Sequence, residues 1–422
     1  MACRMDRPRE NRIEIEWSDV LSDPIVAPDT AAALLQRAAA RAPDDASIRV
    51  NLGLVLLRQL KFPAAVDAFE AALVLDPSRH DARLALARCW TRMGRHGDVL
   101  TLLDRDDTDA SAHALYLRGM AALASGEIER AERDFHAVLE RDAHHREAYF
   151  ELGRILRASG RLDALETVRA ELWERGARHV QLLLDWGRTL ASAGRVEEAR
   201  HLLFAPSMVT RTSIETPAGF PTLAAFNAAV AAELADNPFK RSDIPADELA
   251  IRNSTRVSHP MAGRRPELIG ALLAAIRDRI DRALAAAPDR AEDGTDPWLA
   301  CQPARATLRA WANIQGPGGY EDWHAHRAGW LSGVYYVEVP GGLSADGDGA
   351  GCIEFGAPPA LAEMLPETLR IAPREGMLLL MPSQVHHRTI PFAAKDRRIS
   401  FAFDVRPAGE EDRFLPAQTA TI

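Results

Sequence analysis

The feature that most limits what this chain can fold into is a repeat about 34 residues long. Gly53, Ala87, Gly119, Gly153 and Gly187 stand in similar settings, NLGLVLL, ALARCW, LRGMAAL, ELGRILR and DWGRTLA, at steps of 34, 32, 34 and 34 residues. A second glycine follows seven residues later in four of the units: Gly94, Gly126, Gly160 and Gly194, in RMGR, ASGE, ASGR and SAGR. A residue that accepts positive φ at low cost ends a first helix there. Second helices then carry small or apolar residues at matching offsets: Ala65, Phe69 and Ala72, then Ala131, Phe135 and Val138. Pro77 closes one unit and Pro43 an earlier partial one. The unit between Ala87 and Gly119 is two residues short, so an irregularity is expected there. Units of this size stack on their neighbours to bury a continuous core.

Period, glycines and small residues together resemble the tetratricopeptide repeat, over roughly residues 30–204. The resemblance implies an all-α solenoid with a concave groove for a protein or peptide. Arrays of this kind also act as spacers or as dimerisation surfaces, so a homo-oligomer is the other expectation.

The pattern changes downstream. Residues 205–300 read as a helical connector, with helices expected in TLAAFNAAVAAELADNP and RPELIGALLAAIRDRIDRALAAAP. In the second, Leu268, Leu272, Ile276, Ile280 and Leu284 make one apolar stripe. From Leu308 come short runs rich in β-branched and aromatic residues: LRAWANIQ, WLSGVYYVEVP, GCIEFG, EGMLLLMPS, HHRTIPF and RRISFAFDV. They imply a sandwich or barrel over 301–408, flanked by an N-terminal segment, 1–29, and a tail, 409–422.

The chemistry lies among those strands. His324 and His326 are two apart in EDWHAHRAGW, and in an extended chain such residues face the same way. Asp322 shares that face and offers a carboxylate in place of His326. His386 and His387 face opposite ways, so at most one joins the first pair; His386 is expected at the surface. Arg398 lies in an otherwise apolar strand, where a cation calls for an anion. Trp330 and Tyr335 read as core aromatics.

HxH, SGVYYV, PS-x-x-x-H and R-x-S together resemble the Fe(II)/2-oxoglutarate-dependent oxygenases of the prolyl-hydroxylase-like branch, over about residues 215–408. The resemblance implies a double-stranded β-helix, or jelly-roll. It implies iron held by His324, His326 and His387, and 2-oxoglutarate gripped at its distal carboxylate by Arg398 and Tyr336 with help from Ser400. It also implies dioxygen as co-substrate and ascorbate as a supporting reductant. In the wider superfamily the second ligand is Asp; here it is His326. The expected activity is hydroxylation of a protein or peptide recruited by the repeats. The alternatives are a repeat scaffold with a silent barrel and a small-molecule oxygenase whose repeats dimerise.

Net charge is −9 over 422 residues, with basic and acidic residues interspersed, so no nucleic-acid partner is expected. Four scattered cysteines, no apolar leader and no long apolar run make a cytoplasmic protein with reduced thiols and no membrane span the expectation.

Overall fold

The structure, a computed structural model, describes residues 16–17, 28–104, 111–242, 250–286, 296–393 and 396–408. Most of the expected N-terminal segment and all of the tail lie outside the described residues. Two compact units are present: Ser22–Ala177, and Met1–Leu21 together with Arg178–Ile422.

The first unit is a run of helices: α1 (Pro28–Arg41), α2 (Ala46–Arg58), α3 (Phe62–Leu75), α4 (His80–Arg92), α5 (His96–Leu103), α6 (Ala112–Ala124), α7 (Ile128–Arg141), α8 (Arg146–Ala158) and α9 (Leu162–Glu174). The repeated glycine lets successive helices approach. A Cβ on Gly53 would lie 2.5 Å from the Phe69 ring, and one on Gly119 would lie 2.8 Å from Phe135. Both phenylalanines are fully buried, which stabilises each unit by roughly 1.5–3 kcal/mol per ring.

The turn glycines Gly94, Gly126 and Gly160 have φ of 72°, 80° and 72°. In each case the next amide donates to a carbonyl five residues back, for example Arg95 N to Trp90 O at 2.8 Å, which closes the helix end. The earliest unit has Leu60 at this position, also at positive φ, 58°. The irregular unit shows itself as a short helix: α5 has 8 residues where α3 and α7 have 14.

The second unit opens with another hairpin of the repeat pattern, α10 (Val180–Ser192) and α11 (Val196–Leu203). A Cβ on Gly187 would lie 2.5 Å from Leu203, sixteen residues on as in Gly53–Phe69. The expected helices of the connector are α12 (Leu223–Ala235) and α13 (Pro266–Ala286), and α14 (Pro297–Ala300) follows. The segment also supplies strands β2 (Thr210–Ser213), β3 (Lys240–Arg241) and β4 (Ile251–Val257). TRTS and IRNSTRV lack the apolar alternation that marks a strand. Pairing with neighbours makes them strands, not propensity.

The remaining strands are β5 (Arg305–Glu321), β6 (Leu331–Glu338), β7 (Ile353–Gly356), β8 (Thr368–Ile371), β9 (Met377–Pro382), β10 (His386–Thr389) and β11 (Arg398–Pro407), with β1 (Glu16–Trp17) earlier in the chain. They form two sheets. The larger runs β2-β9-β6-β11-β5-β4-β3, with β1 added in parallel to β5; the smaller is β10-β7-β8. All other pairings are antiparallel. Val334, Tyr336 and Leu379 of the larger sheet share one core with Ile353, Phe355 and Ile371 of the smaller. Trp330 is buried against Trp298, ring on ring at 4.6 Å, and each indole N–H donates to the other residue's carbonyl at 2.9 Å. That double clamp fixes where β6 begins. No helix among the described residues is long and apolar enough to cross a membrane, and the described cysteines Cys89, Cys301 and Cys352 are free and buried.

Candidate metal centre and anion pocket

Three histidines from two segments meet between the sheets. His324 and His326 lie in the loop from β5 to β6, and His387 lies in β10. The loop is held extended by backbone bonds. His324 and His387 exchange amide-to-carbonyl bonds of 3.0 Å each, and His326 N donates to Ser383 O at 2.9 Å. Alternation then turns both loop rings inward. One ring nitrogen from each of the three lies within 4.8 Å of the others, and the ring centroids are 4.4–5.2 Å apart.

The outer nitrogen of every ring faces a pure acceptor. Nδ1 of His324 lies 2.7 Å from Asp322 O, that of His387 lies 3.1 Å from Val385 O, and that of His326 lies 2.5 Å from Asp404 Oδ1. Each Nδ1 must therefore carry a proton, and the Nε2 side of each ring is left for a ligand. His326 Nε2 is buried without a hydrogen-bond partner. Burial, and the neighbouring rings after it, hold His387 well below the usual imidazole range and lower His324 too. Three converging imidazoles are a donor set suited to a divalent transition metal.

The same pocket is lined by Arg398, Tyr336, Ser400 and Glu321. Register explains why. Arg398, Ser400, Ala402 and Asp404 alternate along one face of β11, and Ser400 pairs with Tyr336 of β6 and Asn313 of β5. Arg398 is fully buried, and burial lowers its pKa. Its Nε and Nη2 donate to Gln315 Oε1 at 2.9 and 2.5 Å, and Nη1 donates to Gly351 O at 2.7 Å. All three contacts are to neutral oxygens, and no carboxylate among the described residues pairs with this guanidinium. The Tyr336 hydroxyl is also buried without a partner, and burial pushes its pKa up. A buried cation beside an unpartnered hydroxyl donor is suited to an anionic ligand.

Of the residues singled out in the sequence, His324, His326, His387, Arg398, Tyr336 and Ser400 all line this one pocket. Asp322 does not join the cluster: its carboxylate points outward to Arg252 Nη2, 3.0 Å away. His386 is not at the surface as expected but buried, 7% exposed, which lowers its pKa to about 3. Tyr335 is a core residue with a polar tip, its hydroxyl donating to Asn227 Oδ1 at 2.7 Å. Three residues escaped sequence reading: Gln315, Glu321 and Asp404. Asp404 was findable, because it continues the two-residue alternation from Arg398 and is an acid in an apolar strand. Its carboxylate also accepts from Ser332 and Arg406. Burial opposes its charge, but His326 and Arg406 hold the carboxyl well below the usual range.

A helical-repeat unit followed by a two-sheet unit with a buried histidine cluster and an arginine pocket defines the class. Residues 28–77, 50–105 and 116–170 match the tetratricopeptide repeat model, and residues 309–404 match the family described as "Putative 2OG-Fe(II) oxygenase". The chain therefore combines tetratricopeptide repeats with a domain that matches this oxygenase family. No curated protein matches it significantly. Similar solved structures include MamA from Desulfovibrio magneticus RS-1, 18% identical over 35% of this chain and 85% of that one, TM-score 0.33. YrrB, described as a TPR protein with an unusual peptide-binding site, is 18% identical over 41% and 93%, TM-score 0.33. PilF of Pseudomonas aeruginosa is 16% identical over 42% and 79%, TM-score 0.36.

Proposed function

We propose that the protein is an Fe(II)/2-oxoglutarate-dependent oxygenase that hydroxylates a protein or peptide recruited by its repeats. The observation that carries the reading is the convergence of three imidazoles in the same pocket as a buried arginine whose hydrogen bonds all go to neutral oxygens. The two-sheet architecture agrees with a double-stranded β-helix over the second unit.

In this reading His324, His326 and His387 hold the iron. Arg398 and Tyr336 bind the distal carboxylate of 2-oxoglutarate, and Ser400 lies beside them. Bound iron would supply the activation of dioxygen, so that 2-oxoglutarate, O2 and a C–H substrate become succinate, CO2 and the hydroxylated product. The protein's own part is positional. Backbone carbonyls and Asp404 keep each Nδ1 protonated and each Nε2 available. Gln315 and the Gly351 carbonyl hold the Arg398 guanidinium in one orientation before the anion arrives. Val334, Ile353 and Met381 keep the pocket walls apolar and exclude water. The tetratricopeptide repeats support a peptide or protein as substrate, because repeats of this kind mediate protein–protein contacts.

Succinate release from 2-oxoglutarate by the full chain with Fe(II) and ascorbate tests the reading. Production above that of a His387→Ala control is expected, even uncoupled from substrate. Equal, background-level production by both, together with metal binding by the native protein, would favour the silent scaffold instead.

A further inference from the structure

The histidine cluster contains no carboxylate, yet one stands directly behind it. Asp404 is 1% exposed on β11, and its Oδ1 lies 2.5 Å from His326 Nδ1. Ser332 Oγ donates to the same oxygen at 2.8 Å, and Arg406 Nη2 donates to Oδ2 at 2.8 Å. The His326 ring is also stacked on Trp311, centroids 5.5 Å apart and planes 21° off parallel. Ring, carboxylate and strand therefore hold one another in a single arrangement, and the far nitrogen of the ring, Nε2, is buried and unpartnered. His324 and His387 present their Nδ1 atoms to neutral carbonyls; only His326 faces a full negative charge.

Resting on the iron reading above, we propose that Asp404 is a positioning residue that delivers through His326 the negative charge a directly ligating carboxylate would otherwise supply. A carboxylate accepting from Nδ1 fixes the tautomer, fixes the ring plane and makes Nε2 a stronger donor to a metal. Arg406 takes the outer oxygen and steadies the buried acid without competing for the inner one. Position 326 and position 404 thus work as a relay: the ring reaches the metal and the acid stays one bond behind.

Cobalt(II) binding to the full chain, followed by its visible absorption, tests the relay without requiring turnover. Asp404→Asn keeps the shape and removes the charge. It is expected to keep native circular dichroism, to bind cobalt roughly 10–100-fold more weakly, and to shift the absorption bands. The second arm moves the acid forward. His326→Asp alone sets two carboxylates face to face and is expected to bind weakly. Combined with Asp404→Asn, whose new amide donates to the relocated acid, it is expected to recover to within about tenfold of the native affinity. Native affinity and bands in Asp404→Asn overturn the proposal. If that variant does not fold, the double variant decides, and binding no tighter than His326→Asp alone overturns it. Native protein binding cobalt no better than His387→Ala brings down the metal-site reading itself, a different outcome from either.

Discussion

His324 and His387 are joined through their backbones: the amide of each donates to the carbonyl of the other at 3.0 Å. This reciprocal pair brings the loop after β5 onto β10 and sets the two rings 4.4 Å apart. The linkage needs neither imidazole. His324→Ala and His387→Ala are therefore expected to keep the fold while losing stoichiometric metal binding. Metal content after loading and desalting, read beside circular dichroism, checks both halves. A variant that retains full metal content would remove that ring from the centre.

The anion end of the pocket depends on how Arg398 is held. Gln315 Oε1 accepts two of its N–H groups, so Gln315→Leu strips a buried guanidinium of most of its support. A charge-assisted hydrogen bond contributes about 1.5–3 kcal/mol, so misdirecting the guanidinium is expected to raise the KM for 2-oxoglutarate roughly 10–100-fold. Arg398→Lys is expected to act in the same direction, because an ammonium cannot reproduce the planar fork. Succinate formation titrated against 2-oxoglutarate reads both. An unchanged KM in Arg398→Lys would move the co-substrate elsewhere.

In the repeats, Leu60 occupies the turn position that glycine fills at 94, 126 and 160, and it does so at φ 58°. A left-handed backbone costs a branched L-residue about 1–2 kcal/mol. The Leu60 side chain is 60% exposed, so its burial returns little. Leu60→Gly is expected to stabilise the repeat unit by about 1 kcal/mol net of the chain entropy glycine adds. Urea denaturation followed by helical circular dichroism measures it; a lower midpoint would mean that Leu60 packs against something it needs.

Much of the fold and of the site is legible in the sequence. The repeat could be read because its glycines answer two separate demands, close helix approach at Gly53 and Gly119 and a left-handed turn at Gly94 and Gly126, and both recur in register. His324 and His326 can be read because a spacing of two in an extended segment turns both rings the same way, and Arg398 because a cation in an apolar strand calls for an anion; the choice of His387 over His386 comes from the family resemblance alone. What stayed hidden depends on pairing between distant segments. β2 and β4 are strands only because β9 and β5 lie beside them. Gln315 was hidden because its partner Arg398 is eighty-three residues away. His386 was misplaced because its environment, including the charges of Arg188 and Arg327, is set by other segments and not by its own strand.

The repeat unit also carries a pH sensitivity with a definite sign. Burial, then Arg88 and His145, lower the pKa of His113 from 6.5 to about 4, and burial lowers His145 as well, against the pull of Glu147 and Asp142. In the folded state both rings stay neutral where an unfolded chain would take up protons. Between about 6.5 and about 4 the unfolded state therefore binds more protons, and stability falls as pH falls. Below about 4 His113 is protonated in both states and adds no further loss. Removing the titration at one site, by His113→Gln, is expected to leave stability at pH 7.5 within about 1 kcal/mol of native and to reduce the loss at pH 5 by roughly 1–2 kcal/mol. Urea midpoints for the two proteins at the two pH values give the difference directly, and carboxylates common to both cancel from it. Parallel pH profiles would mean that His113 exchanges its proton with solvent as freely in the folded state as in the unfolded one.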